Sequence, residues 1–597
     1  MQRNRWLGRL KTAQGGGSAV VPPDTTEQRD ELAAQVESLL RQGLDFYKSH
    51  AFVEAAAAFE RVLELKHDDA NAHLALGRVR MQQDRWDDAA DSLQLAVLFD
   101  PQYAEAHAEL ALVLASHGLR DAASQEVQLA TARAGTTANV WAQCGRAFKI
   151  LKDYARAEQC FKSATLAESD SADYFGLLGF VRFLDGQYET ARSAYARALE
   201  LDPLHVPTLH NSGLLDLETG YPQRGLDYFE RANTLHSSPE TQACIGHALR
   251  DLGCLDEACD AYEQVLAAHP AFGDARINLS YALLMRGDLE AGWAEYESRF
   301  EATGTAMRDF GLPRWRGEPL ADRRLLVYAE QGIGDEIMFA SCLPDALAHA
   351  AGCVIECNTR LSRLFARSFS RAQVHGGEKN DDRGWLAAQP ACHYQVPIGS
   401  LPRYFRTSVE SFDRPRGYLV ADTERVEYWR RHLRTDARLH VGIAWRGGAL
   451  RSRQWLRSIP LEQWLDLLRL PGVRVVALQH GDNLHELQSV RASDGLQFRD
   501  LSSVCADIDE LAAVVEALDL IICVDSTLAH IAGALGKQAW VLLPATPEWR
   551  YPRMGERMPW YPSVRLFRQT APRDARALMI ELAENLRSLM ASVVKEK

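Results

Sequence analysis

A self-similarity of 34 residues governs the first half of this chain. A small residue stands at Gly43, Gly77, Ala111, Gly145, Gly179 and Gly213, each 34 positions after the last, and the series continues at Gly246 and Ser280 with one step of 33. Twelve positions after each small residue comes Ala55, Ala89, Ala123, Ala157, Ala191, Gly225, Ala258 or Gly292. Sixteen positions after comes Phe59, Leu93, Val127, Phe161, Tyr195, Phe229, Tyr262 or Tyr296. A unit of this length holds two helices and cannot bury its apolar face alone, so the chain is predicted to stack its units into a solenoid.

The spacing has a direct physical reading. The small residue on the first helix and the alanine on the second let two backbones approach, and the bulky residue fills the space beneath them. Pro101, Pro203 and Pro270 fall where the second helix must stop. The period is that of tetratricopeptide repeats, and eight fit within residues 28–300. Such arrays commonly hold an extended peptide or a partner protein in a groove. A passive spacer or an oligomerisation surface is the alternative, and the sequence of the array does not name a ligand.

At 597 residues the chain is too long for one core. Its 47 % hydrophobic and 25 % charged residues are those of a folded protein. It has no apolar run of membrane-spanning length and no apolar stretch near its start, so neither a membrane span nor a secretory signal is expected, and the cytoplasm is the expected compartment. Residues 1–27 carry +2 and are expected to be a disordered basic segment, residues 28–300 carry −18, and residues 301–597 carry +3. A total of −13 argues against non-specific nucleic-acid binding, which needs a basic surface. The eleven cysteines lack zinc spacing and are read as reduced packing residues.

Beyond about residue 322 the period changes. Apolar runs of strand length, at 325–330, 353–357, 440–445, 473–479, 518–525 and 539–544, alternate with helical stretches, which predicts parallel sheets covered on both faces. Two Rossmann-like lobes are expected, a first over 301–435 on the acceptor side and a second over 436–597 on the donor side, with RPRGYLVADTERVEYWRRHL crossing between them. Ligands in such sheets sit at the carboxyl ends of the strands, so the loops after 330, 445, 479, 525 and 544 are where chemistry is sought.

The first of these loops reads Gln331, Gly332, Ile333, Gly334, Asp335, Glu336 and opens a helix. It lacks the third glycine of a dinucleotide fingerprint, and its carboxylates would repel pyrophosphate. Asp335 is therefore either a general base facing a cleft or a helix cap. The loop after 445 carries Arg446, Arg451, Arg453 and Arg457, which suit a diphosphate or form a solvated surface. After 525, Ser526 and Thr527 occupy the first turn of a small-residue helix, where hydroxyls and free N–H groups bind phosphate oxygens. His530 follows one turn later, as a packing residue or as a second contact.

Taken together, VYAEQGIGDEIMFASCLP, VGIAWRGG, RSIPLEQW, VVALQHGD, LDLIICVDSTLAHIAGALGKQAWVLLP and EWRYP with MPWYPSVRLFRQ resemble the carboxy-terminal domain of bacterial tetratricopeptide-repeat glycosyltransferases. That domain is similar to the lipopolysaccharide heptosyltransferases, which have the two-lobed GT-B fold, and the resemblance spans roughly residues 278–590. It implies a catalytic carboxylate at Asp335 after Gly334, and a donor-binding segment at Asp525, Ser526 and His530. Ser526 replaces the usual threonine and Gln538 the usual proline. The full candidate donor set is Gly334, Trp445, Arg446, Arg457, Gln479, Asp525, Ser526, Thr527 and His530, with no metal site and a nucleotide sugar as co-substrate rather than a bound cofactor. Enzymes of this plan that glycosylate proteins, flagellin among them, imply a protein acceptor docked on the repeats. The alternatives are a lipopolysaccharide-type saccharide transferase and a non-catalytic scaffold with a relic GT-B domain. Signature motifs of the O-GlcNAc transferases are not found.

Overall fold

The computed structural model describes residues 26–135, 137–302, 304–377, 383–412, 417–433, 439–448, 453–494, 498–572 and 574–595. Nearly all of the basic amino-terminal segment, and Arg451 of the arginine-rich loop, lie outside the described residues. The chain divides into two compact units, Met1–Thr208 and Leu209–Lys597.

The first unit is helical. Its helices pair in order: Thr26–Lys48 with Phe52–Leu65, Ala70–Gln82 with Trp86–Phe99, Ala104–Ser116 with Arg120–Arg133, Ala138–Ile150 with Tyr154–Ala167, and Ala172–Leu184 with Tyr188–Leu201. The small-to-bulky register is the packing rule of each pair. A Cβ added at Gly43 would stand 2.6 Å from the Phe59 ring, one at Gly145 2.7 Å from Phe161, and one at Gly179 2.5 Å from Tyr195. Even one methyl group would push the helices apart, because these interiors have no spare volume.

The second unit begins with three more pairs, Val206–Glu218 with Pro222–Leu235, Pro239–Leu252 with Leu255–Ala268, and Gly273–Arg286 with Leu289–Glu295, the last prolonged through Tyr296–Ser298 and Arg299–Ala302. Gly213 meets Phe229 and Gly246 meets Tyr262 in the same way, each at 2.6 Å from an added Cβ.

Two sheets follow. The first lobe has β1 (Arg324–Tyr328), β2 (Gly352–Asn358), β3 (Ala372–Gly377) and β4 (Tyr394–Pro397), all parallel, in the order β3-β2-β1-β4. The second has β5 (Leu439–Ala444), β6 (Val473–Ala477), β7 (Arg499–Asp500), β8 (Leu520–Val524), β9 (Ala539–Leu543), β10 (Arg557–Met558) and β11 (Tyr561–Arg568), in the order β10-β11-β9-β8-β5-β6-β7. Only the β10–β11 pairing is antiparallel. The central strands β8 and β9 are buried along their whole length, as strands covered on both faces must be.

Helix α1 (Ile333–Phe339) follows β1, α2 (Thr423–Leu433) lies in the crossing, α3 (Ile508–Ala517) precedes β8, α4 (Thr527–Leu535) follows β8, and α5 (Arg576–Lys595) ends the described part of the chain against the second-lobe core; α1, α3 and α4 reach the cleft. The crossing segment runs against α4, with the Tyr418 and Leu419 N–H groups both donating to the Ala534 carbonyl at 2.8 and 2.9 Å. A Cβ at Gly417 would lie 2.3 Å from the Leu535 backbone, so only glycine passes there. All eleven cysteines are free thiols, and most are buried, as expected. No described helix is long and apolar enough to cross a membrane.

Candidate active site

Each of the five loops at the carboxyl strand ends contributes to one cleft. From β1 the chain turns at Gly332 into α1, which carries Asp335 in its first turn. From β8 it turns at Ser526 into α4. The two helices pack together, and a Cβ at Gly334 would lie 3.2 Å from the His530 ring and 3.6 Å from the Thr527 hydroxyl. Gly334 is thus a point of close approach between the lobes, where a side chain would crowd His530.

Asp335 is partly exposed, and its Oδ1 accepts from Arg550 Nη2 at 3.0 Å. Arg550 lies beyond β9 and its other terminal nitrogen is 4.0 Å from Asp525 Oδ2. Asp525 is 1 % exposed. It forms an ion pair with Arg457, whose Nε lies 2.9 Å from Oδ2, and accepts from the Tyr551 hydroxyl at 2.7 Å, while Arg457 Nη2 donates to its carbonyl at 3.1 Å. A chain of alternating charge, Asp335, Arg550, Asp525 and Arg457, crosses the cleft. Burial opposes ionisation of Asp525, but Arg457 and Arg550 outweigh it and hold the carboxyl below its ordinary range. A Cβ at Gly447 would fall 2.1 Å from the Asp525 carbonyl oxygen, so the loop after β5 closes over this residue only because it has no side chain there.

His530 is buried, and its Nδ1 lies 2.9 Å from the Tyr561 hydroxyl. Gly533 makes room for that tyrosine, since an added Cβ would be 2.2 Å from its ring. Burial, and then the positive charge of Arg550, push the imidazole down to about 4, so it is neutral at pH 7. The other ring nitrogen, Nε2, is the one nearer Gly334.

Beside this chain lies a cavity of about 500 Å³. Arg446, Arg457, Gln479, Ser526 and Thr527 line its polar side, and Leu478, Ile508 and Leu511 its apolar side. Gln479 braces the loop after β5, its Oε1 accepting from the Trp445 and Arg446 N–H groups at 2.9 and 2.8 Å. Glu486 pairs with Arg446 at 3.4 Å.

Two sequence expectations need correction. Trp445 is fully buried in the second-lobe core and does not line the cavity; its indole donates to Glu486 at 3.2 Å. Arg453 is committed to an ion pair with the buried Asp251 of the seventh repeat and does not line the cavity. Glu336, adjacent to Asp335, is buried and accepts from the Asn358 N–H at 3.0 Å, so it secures β2. Arg550, Tyr551 and Tyr561 escaped the sequence reading as site residues. They lie in or near the loop after 544, but no periodicity or glycine pattern marks them individually.

Comparison with known proteins agrees with this architecture. Residues 471–578 match glycosyltransferase family 9 (heptosyltransferase), and residues 46–108, 145–205 and 245–302 match tetratricopeptide repeats. Protein FlbA of Caulobacter vibrioides is 26 % identical over 505 residues, covering 70 % of this chain and 84 % of FlbA. The CTR9 homolog of Arabidopsis thaliana is 26 % identical over 215 residues, 34 % of this chain and 20 % of that protein. Among solved structures, Pseudomonas aeruginosa PilF is similar with a TM-score of 0.30 and 20 % identity, covering 34 % of this chain and 95 % of that one. The chain joins tetratricopeptide repeats to a glycosyltransferase family 9 domain.

Proposed function

We propose that this chain transfers a sugar from a nucleotide-activated donor to a hydroxyl group of a protein, with Asp335 as general base and the repeats docking the acceptor. The observation that carries this reading is the position of Asp335: it stands partly exposed in the first turn of α1, with its Oδ1 held by Arg550 across the cleft. The acceptor oxygen attacks the anomeric carbon while Asp335 takes its proton. The bond from that carbon to the phosphate oxygen breaks with its electron pair, and the nucleotide leaves, as a diphosphate from a UDP-, GDP- or dTDP-sugar and as a monophosphate from a CMP-sugar.

The leaving group gains charge as it departs. Arg457, Ser526, Thr527 and the amino terminus of α4 stand at the cavity to receive it, and preorganised donors of this kind are the largest usual contribution to such a step. Arginines and a helix terminus supply the charge in this scheme, which requires no divalent ion. The apolar wall at Leu478, Ile508 and Leu511 suits the flat face of a nucleobase. Inversion at the anomeric carbon follows from one direct displacement. The reaction is placed in the cytoplasm, where sugar nucleotides are made.

The test uses the full chain with a panel of radiolabelled UDP-, GDP-, dTDP- and CMP-sugars and bacterial extract, with flagellin as the first purified acceptor tried. Label on a protein that is lost with Asp335→Asn supports the reading. Label only on saccharide or lipid would move the acceptor to another class, and no label with any donor would leave the scaffold.

A further inference from the structure

The last two repeats touch the transferase site at three places, and each contact falls on a loop that carries a site residue. Tyr296, buried in the eighth repeat, lies 2.9 Å from Gln331 Nε2, in the loop that leads to Asp335. Three residues on, Arg299 reaches Glu330 at 2.7 Å and the Ser400 hydroxyl at 2.9 Å, and Glu330 in turn accepts from the Gly399 N–H at 3.1 Å. On the donor side, Asp251 of the seventh repeat holds Arg453, four residues before Arg457. Arg553 Nη1 donates to the Asp251 carbonyl at 2.7 Å. Finally, Tyr281 of the eighth repeat stacks on Trp549, with ring centroids 5.5 Å apart and planes 5° from parallel, and Trp549 adjoins Arg550.

These contacts are buried or partly buried, specific in direction and split between the two halves of the site. We propose that Tyr296 and Arg299 are positioning residues for the base loop, and that Asp251 is a positioning residue for the donor loop, so that the repeats set the geometry of the reaction as well as hold an acceptor. The inference rests on Asp335 being the base and on the cavity being the donor site. It goes further in assigning separate kinetic effects to separate repeat residues. A buried pair fixes a loop because leaving either partner unpaired is costly, and a displacement of about 1 Å at a reacting group lowers turnover by up to about a hundredfold.

The experiment uses the full-length chain. Calorimetry with UDP, GDP, dTDP and CMP finds the nucleotide that binds, and release of that nucleotide from its sugar conjugate measures turnover. Tyr296→Phe and Arg299→Lys are expected to lower kcat by about ten- to a hundredfold with nucleotide affinity within a factor of two. Arg453→Gln, which removes this pair while Asp251 keeps its second partner Arg250 at 3.2 Å, is expected to weaken nucleotide binding about tenfold and to lower kcat less. Thermal melts confirm that each variant is folded, and an unfolded one is replaced by Gln331→Leu on the base side or Arg453→Lys on the donor side. Folded variants with parental kcat and affinity overturn the inference, as does an equal fall in both parameters from either side. Asp335→Asn is run alongside: parental turnover in that variant would strike down the base assignment itself, a result separable from the failure of the repeat variants.

Discussion

Asp335 and Arg550 come from different lobes, and their side chains meet at 3.0 Å. The contact ties the position of the proposed base to the relative placement of the two sheets. Asp335→Asn is therefore expected to keep the fold and nucleotide binding while turnover falls by about two to four decades, the scale of lost general-base assistance. Single-turnover measurements with the labelled sugar nucleotide check it. Glu336→Gln serves as a contrast: since Glu336 holds the Asn358 N–H, its loss is expected to lower Tm more than turnover.

Arg550 serves two carboxylates. Arg550→Lys keeps the charge but cannot reach both in the fixed fork of a guanidinium, and it is expected to lower kcat by about a hundredfold while nucleotide affinity changes little. A variant with unchanged kcat would make the arginine a packing residue only.

For the donor, Ser526→Ala with Thr527→Ala is expected to weaken nucleotide binding by about 1.5 to 3 kcal/mol, since hydroxyls that face phosphate oxygens make bonds to a charged group. Calorimetry with the nucleoside diphosphate reads this directly. Equal affinity in parent and variant would place the phosphates away from α4.

His530 gives a pH prediction with a definite sign. The folded protein holds this imidazole neutral down to about 4, whereas the unfolded chain protonates it near 6.5. Between those values the unfolded state binds the extra proton, so this contribution is complete above about 6.5 and is lost as pH falls toward 4, on the order of 3 kcal/mol in all. Urea titrations at pH 7.5 and 4.5 measure it. His530→Gln is expected to show a smaller difference between the two, although it is less stable at pH 7.5.

Truncation separates docking from chemistry. A fragment beginning near residue 305 loses Trp293, Tyr296 and Arg299, all buried against the first lobe, and is expected not to fold stably. One beginning at residue 209 keeps them and is expected to bind nucleotide as the full chain does. It is also expected to modify a protein acceptor poorly, because tethering by the earlier repeats is gone. Circular dichroism, calorimetry and labelling of the acceptor distinguish the three properties.

The repeats were legible because a fixed period repeats the same contact: Gly43 on Phe59 and Gly246 on Tyr262 are one packing event written several times. The strands of the cleft were legible where they are continuous apolar runs, as in β8 and β9. Strands β3, β4, β7, β10 and β11 were missed because they are short or only partly buried. β3, for instance, has one fully buried residue in six, so its pattern is that of a loop. The positions of the ligand loops followed from strand polarity, but Arg453 and Arg457 could not be told apart by type. Only their partners, Asp251 in one case and Asp525 in the other, separate them, and a partner some 200 residues away in the chain leaves no local trace.

The burial of the eighth repeat in the first lobe also limits how such chains diversify. The repeats up to Thr208 belong to a compact unit of their own. Trp293, whose indole donates to the Arg406 carbonyl at 2.9 Å, belongs to the inheritance of the catalytic domain. Natural recombination among the repeats is expected to leave its crossover points upstream of residue 209, so the last repeats should share their ancestry with the lobes and the first ones need not.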